Sequence, residues 1–293
     1  MTLKIAVVVA TTGRAATAGR TLGRLRRQTR QPDRAMVVAV TPADVAGFDQ
    51  AAMPLEIRLT ERGLCRQRNE ALSLLGESVD LVAFFDDDFL PADDYLENLE
   101  RLFLAFPEVI GATGRLIADG AGGAGLTFEQ AEALLAADTF DLDWANAIRE
   151  RRGLYGCNMA YRVSAIAGMK FDENLPLYGW QEDIDFSFRL RDRGRRVVCD
   201  ALAGVHLGEK GGRTSGRRFG YSQVANPFYL LGKGSIPRDR ARRIMVGNLA
   251  ANAWGAIRPE PYVDRRGRLV GNLIAIRDLL AGRLHPRRML DLQ

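Results

Sequence analysis

The sequence predicts an α/β protein: an open, mostly parallel sheet flanked by helices, followed by a basic helical extension. Two observations predict it. Continuous apolar, β-branched runs alternate with stretches of helical periodicity through the first half of the chain, as in right-handed βαβ units. Three adjacent aspartates then close one of those runs, and open α/β sheets gather ligands at the carboxyl ends of their strands. With 293 residues, 47% apolar and 26% charged, the chain is long enough for one α/β domain with appendages.

The elements follow in order. Leu3 to Ala10 (LKIAVVVA) reads as a buried parallel strand, and Thr11-Thr12-Gly13-Arg14 as the turn after it. Thr21 to Thr29 places Leu22 and Leu25 on one helical face, and Pro32-Asp33 ends that helix. Ala35 to Val40 and Leu55 to Leu59 are the next strands; Cys65 to Leu75 is helical and closes at Gly76. Asp80 to Phe85 is a buried strand running into Asp86-Asp87-Asp88. From about Asp93 to Phe106, Leu96, Leu99, Leu102, Phe103 and Phe106 recur at helical spacing.

The second half is less regular. Gly120 to Gly125 is a loop rather than a phosphate cradle, because no Gly-Lys-Ser/Thr follows it. Thr127 and Gln130 form a capping box for a helix to Ala137. Gly156 to Arg162 and Arg196 to Cys199 read as strands. Between them Gln181 to Arg193 reads as a helix, with Gly194 as its cap. Beyond Arg213 the pattern is helical, basic and interrupted by prolines, which sets a boundary there.

Composition excludes several classes. No apolar run approaches the ~20 residues of a membrane span, and the N-terminal run is too short for a secretory leader. Cys65, Cys157 and Cys199 are scattered with no C-x-x-C pair, which suits buried thiols in a reducing cytosol. A cytoplasmic protein is expected. The net charge of +5 hides an asymmetry: from Arg213 onward there are 16 Arg and Lys against 5 Asp and Glu, and before it 25 against 31. Such a tail suits an anionic partner, whether nucleic acid, anionic lipid or a phosphate-bearing substrate.

The acidic triplet is the strongest chemical feature. Three neighbouring carboxylates repel one another, and a divalent cation bridging them to substrate phosphates is the simplest compensation. A solvated acidic turn is the plainer alternative, but Asp93-Asp94 already supply a cap for the next helix. Glu182 and Asp183 stand at a helix start, where the dipole favours ionised carboxylates and one of them can act as a base. His206, one of two histidines, follows a strand and is a candidate third metal ligand. His285 has no assigned role.

The order of these motifs resembles the family 2 glycosyltransferases of GT-A fold, over roughly residues 3–210. The likeness is carried by Thr-Thr-Gly-Arg after the first strand, G-L-C-R-Q-R-N-E-A-L (Gly63 to Leu72) and F-F-D-D-D-F-L-P (Phe84 to Pro91). G-C-N-M-A-Y-R (Gly156 to Arg162), F-D-E-N-L (Phe171 to Leu175), G-W-Q-E-D-I-D-F-S-F-R-L-R-D-R-G (Gly179 to Gly194) and Val205-His206 complete it.

The resemblance implies an inverting transfer from a nucleotide-sugar donor, with Mg2+ or Mn2+. It puts Ala10, Thr12 and Arg14 in the loop that holds the nucleotide, and Arg68 near the base or diphosphate. Asp86 becomes the ribose-side acid of the D-x-D motif and Asp88 its metal ligand, joined by His206. Spacing leaves open whether Asp87 touches metal or nucleotide; it is grouped with the nucleotide-binding residues. Asp183 becomes the catalytic base, and Glu182 binds the acceptor or orients that base. The acid that usually reads the nucleobase after the second strand is absent, Asp44 being the nearest, so UDP is the default among UDP, GDP and dTDP. No Q-x-x-R-W signature of processive synthases is present, which favours a single addition.

Lys210 and Arg213 are candidates to fold over the diphosphate, with a solvated basic loop as the alternative. Trp180 faces a sugar ring or packs in the core. The organisation expected is a catalytic domain over 1–212, nucleotide-binding to about 115 and acceptor-binding after it, and an extension over 213–293. The extension mixes arginines with apolar residues at helical spacing, which suits the anionic inner face of a membrane bearing a lipid-linked glycan acceptor. Two rivals are weaker. A sugar nucleotidyltransferase should carry a G-x-G-T-R-like loop after the first strand. A basic nucleic-acid-binding or other anion-binding protein should interleave aromatics with its cations and would leave the triplet unexplained.

Overall fold

The computed structural model of the chain describes residues 2–48, 54–76, 78–140, 143–144, 146–211 and 214–292. It forms two compact units. The first comprises Met1–Arg62, Arg66–Lys170 and Leu190–Gly212; the second comprises Gly63–Cys65, Phe171–Arg189 and Arg213–Gln293.

Among the described residues, the first unit is an α/β sheet of nine strands in the order β3-β2-β1-β4-β8-β6-β9-β5, with β7 beside β9. The strands are β1 (Ile5–Ala10), β2 (Arg34–Ala39), β3 (Glu56–Leu59), β4 (Leu81–Asp86), β5 (Phe89–Pro91), β6 (Val109–Asp119), β7 (Ile148–Glu150), β8 (Asn158–Arg162) and β9 (Arg195–His206). The N-terminal half, β3-β2-β1-β4, is wholly parallel; β1, β2 and β4 are buried, largely apolar strands, as burial on both faces requires, and β3 is a half-buried to exposed edge. β8 then enters antiparallel between β4 and β6, and β6 runs parallel to β9.

The chain leaves β1 toward β2 and β3, then returns to place β4 on the opposite side of β1. That reversal is a topological switch point, where the diverging loops open a crevice at the carboxyl ends of the strands. Ala10 and Asp86, the last residues of β1 and β4, are paired there.

Helices α1 (Ala15–Leu25), α2 (Leu64–Leu75), α3 (Tyr95–Ala105) and α4 (Phe128–Ala137) connect the strands. The expected helix over 21–29 starts earlier and ends sooner: buried Ala18, Leu22 and Leu25 form an i, i+4, i+7 face that begins before Thr21. Leu96, Leu99, Leu102 and Phe103 of α3 join Val7, Val9, Phe85 and Phe89 in the main core. The capping box of Thr127 and Gln130 forms as read. β5, β6 and β7 have no counterpart in the sequence reading, and β9 is longer than Arg196 to Cys199.

The second unit holds α5 (Glu182–Arg189), α6 (Gly216–Gly232), α7 (Arg238–Ile257) and α8 (Arg265–Leu280). The α6–α8 crossing is glycine-dependent. A Cβ on Gly220 would stand 2.0 Å from the Arg268 carbonyl oxygen, and one on Gly271 would stand 2.0 Å from that of Arg217. A ladder of buried amides joins the three long helices: Asn252 donates to Gln223 and Asn272, and Asn272 donates to the Gly220 carbonyl. Pro227 does not interrupt the chain as expected but lies inside α6, whereas Pro237 caps the start of α7. No described helix is long and apolar enough to cross a membrane.

Candidate functional site

The chemistry of the first unit gathers at the switch point. β4 ends on Asp86, and the turn after it sends the next two aspartates to different partners. Asp86 accepts from Arg68 Nη2 at 3.1 Å, and the same nitrogen reaches the Gly156 carbonyl at 2.9 Å. Asp87 is fully buried; its Oδ2 accepts from the Thr11 hydroxyl at 2.7 Å and its Oδ1 meets Arg14 Nη2 at 2.5 Å. Asp88 accepts from the Glu209 backbone N–H at 2.8 Å and from Arg14 Nη1 at 3.4 Å, and lies 3.3 Å from His206 Nε2.

His206 stands at the carboxyl end of β9, paired with Asp119 at the end of β6. Its Nδ1 lies 2.8 Å from Asp119 Oδ1. Asp119 is held in turn by the Tyr155 hydroxyl at 3.0 Å and the Ala121 N–H at 2.9 Å. The Tyr155 ring meets the imidazole edge-on, at 6.0 Å between centroids. With Nδ1 engaged, Nε2 is the nitrogen left facing the aspartates. This carboxylate–imidazole relay is how proteins fix the tautomer of a metal-ligating histidine.

The electrostatics are those of a crowded acidic site. Burial pushes Asp87 up to about 7, against the pull of Arg14. Burial also acts to raise Asp88, but His206, Arg14 and the Glu209 N–H outweigh it and hold the carboxyl down to about 2. Burial would lower His206, yet Asp119 and Asp88 outweigh it and raise the imidazole to about 10.

The donors fit a divalent cation. Asp86, Asp88 and His206 each offer one ligand atom, all within 4.8 Å of one another. Among the described residues, the four carboxylates of Asp86, Asp87, Asp88 and Asp119 pair with two guanidinium groups, of Arg14 and Arg68, and one imidazole, so acidic groups outnumber basic ones there. Oxygen donors with one imidazole suit Mn2+, and the carboxylates suit Mg2+. Asp86, expected on the ribose side, is thus one of the three possible ligands.

The remaining expected residues fall as follows. Ala10 ends β1 and Thr12 is half-buried in the loop after it. Asp44 is turned inward: it accepts from the backbone N–H groups of Gly13 at 2.6 Å, Thr41 at 2.8 Å and Val40 at 3.2 Å. It ties the two loops together rather than facing out. Lys210 Nζ donates to the carbonyls of Gly120 and Ala121. Gly208, at φ +65°, lies so close to that turn that a Cβ would stand 2.2 Å from the Ala121 nitrogen. Arg213 lies outside the described residues.

In the second unit, Glu182 and Asp183 occupy the first turn of α5, Glu182 buried and Asp183 half-buried. The approach to the helix is strained: Leu177 has φ 56° and Gln181 φ 73°, both unusual without glycine. The Trp180 carbonyl accepts from Asn226 at 2.8 Å, and its ring meets Phe219 edge-on at 5.7 Å. Asp183 Oδ1 accepts from the Ile184 N–H at 2.7 Å.

Asp119 and Tyr155 were not found by sequence reasoning. Asp119 ends a strand that the pattern did not reveal, and no motif marks either residue.

Comparison with solved structures decides the fold class. The mannosyltransferase PcManGT from Pyrobaculum calidifontis, solved in complex with GDP-Man and Mn2+, matches with a TM-score of 0.57 at 17% identity, over 99% of this chain and 86% of its own. The chain has a glycosyltransferase fold. S. aureus TarS matches with a TM-score of 0.52 at 14% identity, over 83% of this chain, which spans 42% of the length of TarS. The TarS fragment 1-349 gives 0.53 at 14% identity, over 83% of this chain and 69% of its own. No family model matches the chain, and no curated protein matches it by sequence.

Proposed function

We propose that this chain is an inverting, metal-assisted glycosyltransferase resembling family 2 of the GT-A fold. It moves one sugar from a nucleotide-sugar donor to a hydroxyl of a glycan or lipid-linked glycan. The observation that carries this reading is the Asp86, Asp88 and His206 group at the switch point of a glycosyltransferase fold. A sugar nucleotidyltransferase would need a G-x-G-T-R-like loop that Thr11-Thr12-Gly13-Arg14 does not supply, and a basic anion-binding protein leaves the acidic group unexplained.

Asp88 and His206, with Asp86, would hold Mg2+ or Mn2+, which when bound supplies positive charge against the departing diphosphate. Arg14, clasped by Asp87 and Asp88, and Arg68, fixed on Asp86, add fixed cations along the nucleotide. Ala10 and Thr12 line the loop beside it, and Lys210 and Arg213 belong to the segment that follows β9. Preorganised charges of this kind act where charge develops and need no reorganisation during reaction.

Asp183 is the base that takes the proton of the acceptor hydroxyl as it attacks the anomeric carbon. Its place in the first turn of α5 favours the ionised form. Glu182 orients that base or the acceptor, and Trp180 offers a sugar-facing ring. Catalysis belongs to residues 1–212 and the extension over 213–293 serves attachment, in the cytoplasm at the inner face of the membrane.

The test is thermal stabilisation by UDP, GDP, dTDP and ADP, each with and without Mn2+. A metal-dependent rise with one nucleoside diphosphate is the expected result, since a ligand of the folded state must raise the melting temperature. UDP is the default, and the match to a GDP-Man enzyme makes GDP the other candidate to watch. No rise with any of the four would refute the site.

A further inference from the structure

The second unit exposes an apolar surface that neither its own packing nor sugar transfer uses. On α7 the exposed large residues are Val246, Trp254 and Ile257, at 57%, 60% and 76% exposure. With exposed Ala250 and Ala253 they make one stripe at i, i+4, i+7, i+8, i+11. On α8 Val270, Leu273 and Leu280 are exposed by 42%, 56% and 84%. Arg266 and Arg277 complete that stripe at i, i+4, i+7, i+11, i+14.

The two stripes meet at one end. Arg266, first in the α8 stripe, donates from Nε to the Ala256 carbonyl, next to Ile257 at the end of the α7 stripe. Each helix already turns another face inward, through Ala241 and Asn252 on α7 and Gly271, Asn272 and Ala275 on α8. These outward side chains are therefore surplus to the unit's own core. Soluble surfaces scatter such residues singly; continuous stripes on adjoining helices mark an interaction face.

Charge identifies the occupant. Arg242, Arg243, Arg258, Arg266 and Arg277 border or interrupt the stripes, and the Arg258 guanidinium lies 4.8 Å over the Trp254 ring. Nearby acids stand at helix ends and are engaged: Asp239 with Arg243, Glu260 with Arg265, and Asp264 with the Gly267 N–H. A second copy laid on this face would set arginine against arginine. An apolar interior beneath a layer of phosphate accepts both the aliphatic residues and the cations, with Trp254 at the boundary.

We infer that the α7–α8 face is an anionic-membrane docking surface, with Val246, Trp254, Ile257, Val270, Leu273 and Leu280 entering the headgroup boundary. The helices lie on the bilayer rather than spanning it. This deepens the membrane placement in the proposed function and is independent of the sugar-transfer reading.

The test is cosedimentation of the full chain with vesicles of phosphatidylcholine alone, or of phosphatidylcholine and phosphatidylglycerol in equal parts. Binding to the anionic vesicles only, weakening as salt rises, is expected. The triple variant Arg258→Gln, Arg266→Gln, Arg277→Gln should lose about five-fold in partition per arginine removed. The double variant Leu273→Ser, Leu280→Ser should lose about ten-fold per leucine. These side chains are exposed, so circular dichroism melts should stay unchanged.

No binding to anionic vesicles overturns the proposal, as does binding by either variant that equals the wild type. So does a dimer in solution that the leucine variant dissociates, because a second copy would then cover the face. The nucleotide and Mn2+ melting shifts, measured on the same protein without vesicles, report the catalytic reading separately.

Discussion

Removing the Asp119 carboxylate tests whether His206 is a metal ligand held in place from behind. In the wild type Asp119 Oδ1 lies 2.8 Å from His206 Nδ1 and accepts from the Ala121 N–H, while Oδ2 takes the Tyr155 hydroxyl. Losing the outer carboxylate of a metal-bound histidine costs about 10- to 100-fold in metal affinity. The lower half of that range is expected here, because the ring cannot swing far. It is 6% exposed, its strand is bonded to β5 and β6, and Tyr155 closes one side. Asp119→Ala should therefore weaken Mn2+ by about 10- to 30-fold, or about 1.4 to 2 kcal/mol. Asp119→Asn can keep both bonds to Oδ1 but loses the charge and the Oδ2 acceptor of the Tyr155 hydroxyl, so it should fall between wild type and alanine. Isothermal calorimetry with Mn2+ measures both, and a melting curve confirms that each variant is folded. An alanine variant that melts normally and binds Mn2+ as tightly as wild type would refute the relay and, with it, His206 as a ligand.

Four further outcomes are expected. Asp183→Asn should keep metal-dependent nucleotide binding and lose most turnover, read as kcat falling with little change in donor affinity; equal loss of both would count against a base. Gly208→Ala adds a Cβ 2.2 Å from the Ala121 nitrogen at φ +65°. It should cost more than the ~1 kcal/mol of a left-handed residue and weaken Mn2+ binding, because the Glu209 N–H on Asp88 moves with it. Gly271→Ala forces α6 and α8 apart and should lower stability by about 1–3 kcal/mol in urea unfolding. Asp278 is buried and accepts from Arg283, Arg288 and the Tyr221 hydroxyl. Burial would raise this carboxyl, but those partners outweigh it and hold it down to about 2. Its contribution is therefore complete above pH about 4 and lost as pH falls through about 2, and Asp278→Asn should flatten that acid limb of a melting-temperature profile. The substitution should cost about 2 kcal/mol at neutral pH, below the 3–5 of a fully buried pair, because both arginines are partly exposed.

The parts of the fold legible in the sequence are those where burial writes one pattern over a whole element. β1, β2 and β4 are covered on both faces, so their runs are continuous, and α3 turns one clear face to the core. β6 was not legible for a physical reason. Its first five residues are buried, but Gly111 and Gly114 stand where backbone and aromatic rings come close. Five of the last six are only half-buried, so neither alternation nor a continuous apolar run is present. α7 and α8 read as helices but not as a bundle, because apolar residues lie on both of their faces. At the site, Asp86, Asp88 and His206 were legible because each sits beside a strand pattern or a motif. Asp119 was not, since its role depends on a register between β6 and β9 that no local spacing encodes.

The aspartate triplet shows why adjacency in sequence does not mean shared function. Asp86 still belongs to the strand, so its direction is set by the ladder to β1 and by its N–H on the Cys157 carbonyl, and buried Arg68 meets it there. Asp87 turns back under the β1 loop, where Thr11 and Arg14 receive it and no surface remains for a ligand. Asp88 reaches across to β9 and is met by His206 and the Glu209 N–H. One residue of rotation along the chain thus separates a loop clamp from two candidate ligand atoms. The clamp explains how the repelling pair persists: Arg14 contacts both Asp87 and Asp88, so one guanidinium neutralises the buried acid and steadies the outer one. Arg14→Ala would leave Asp87 buried without its cation, and the loop, not the metal, would be the first thing lost.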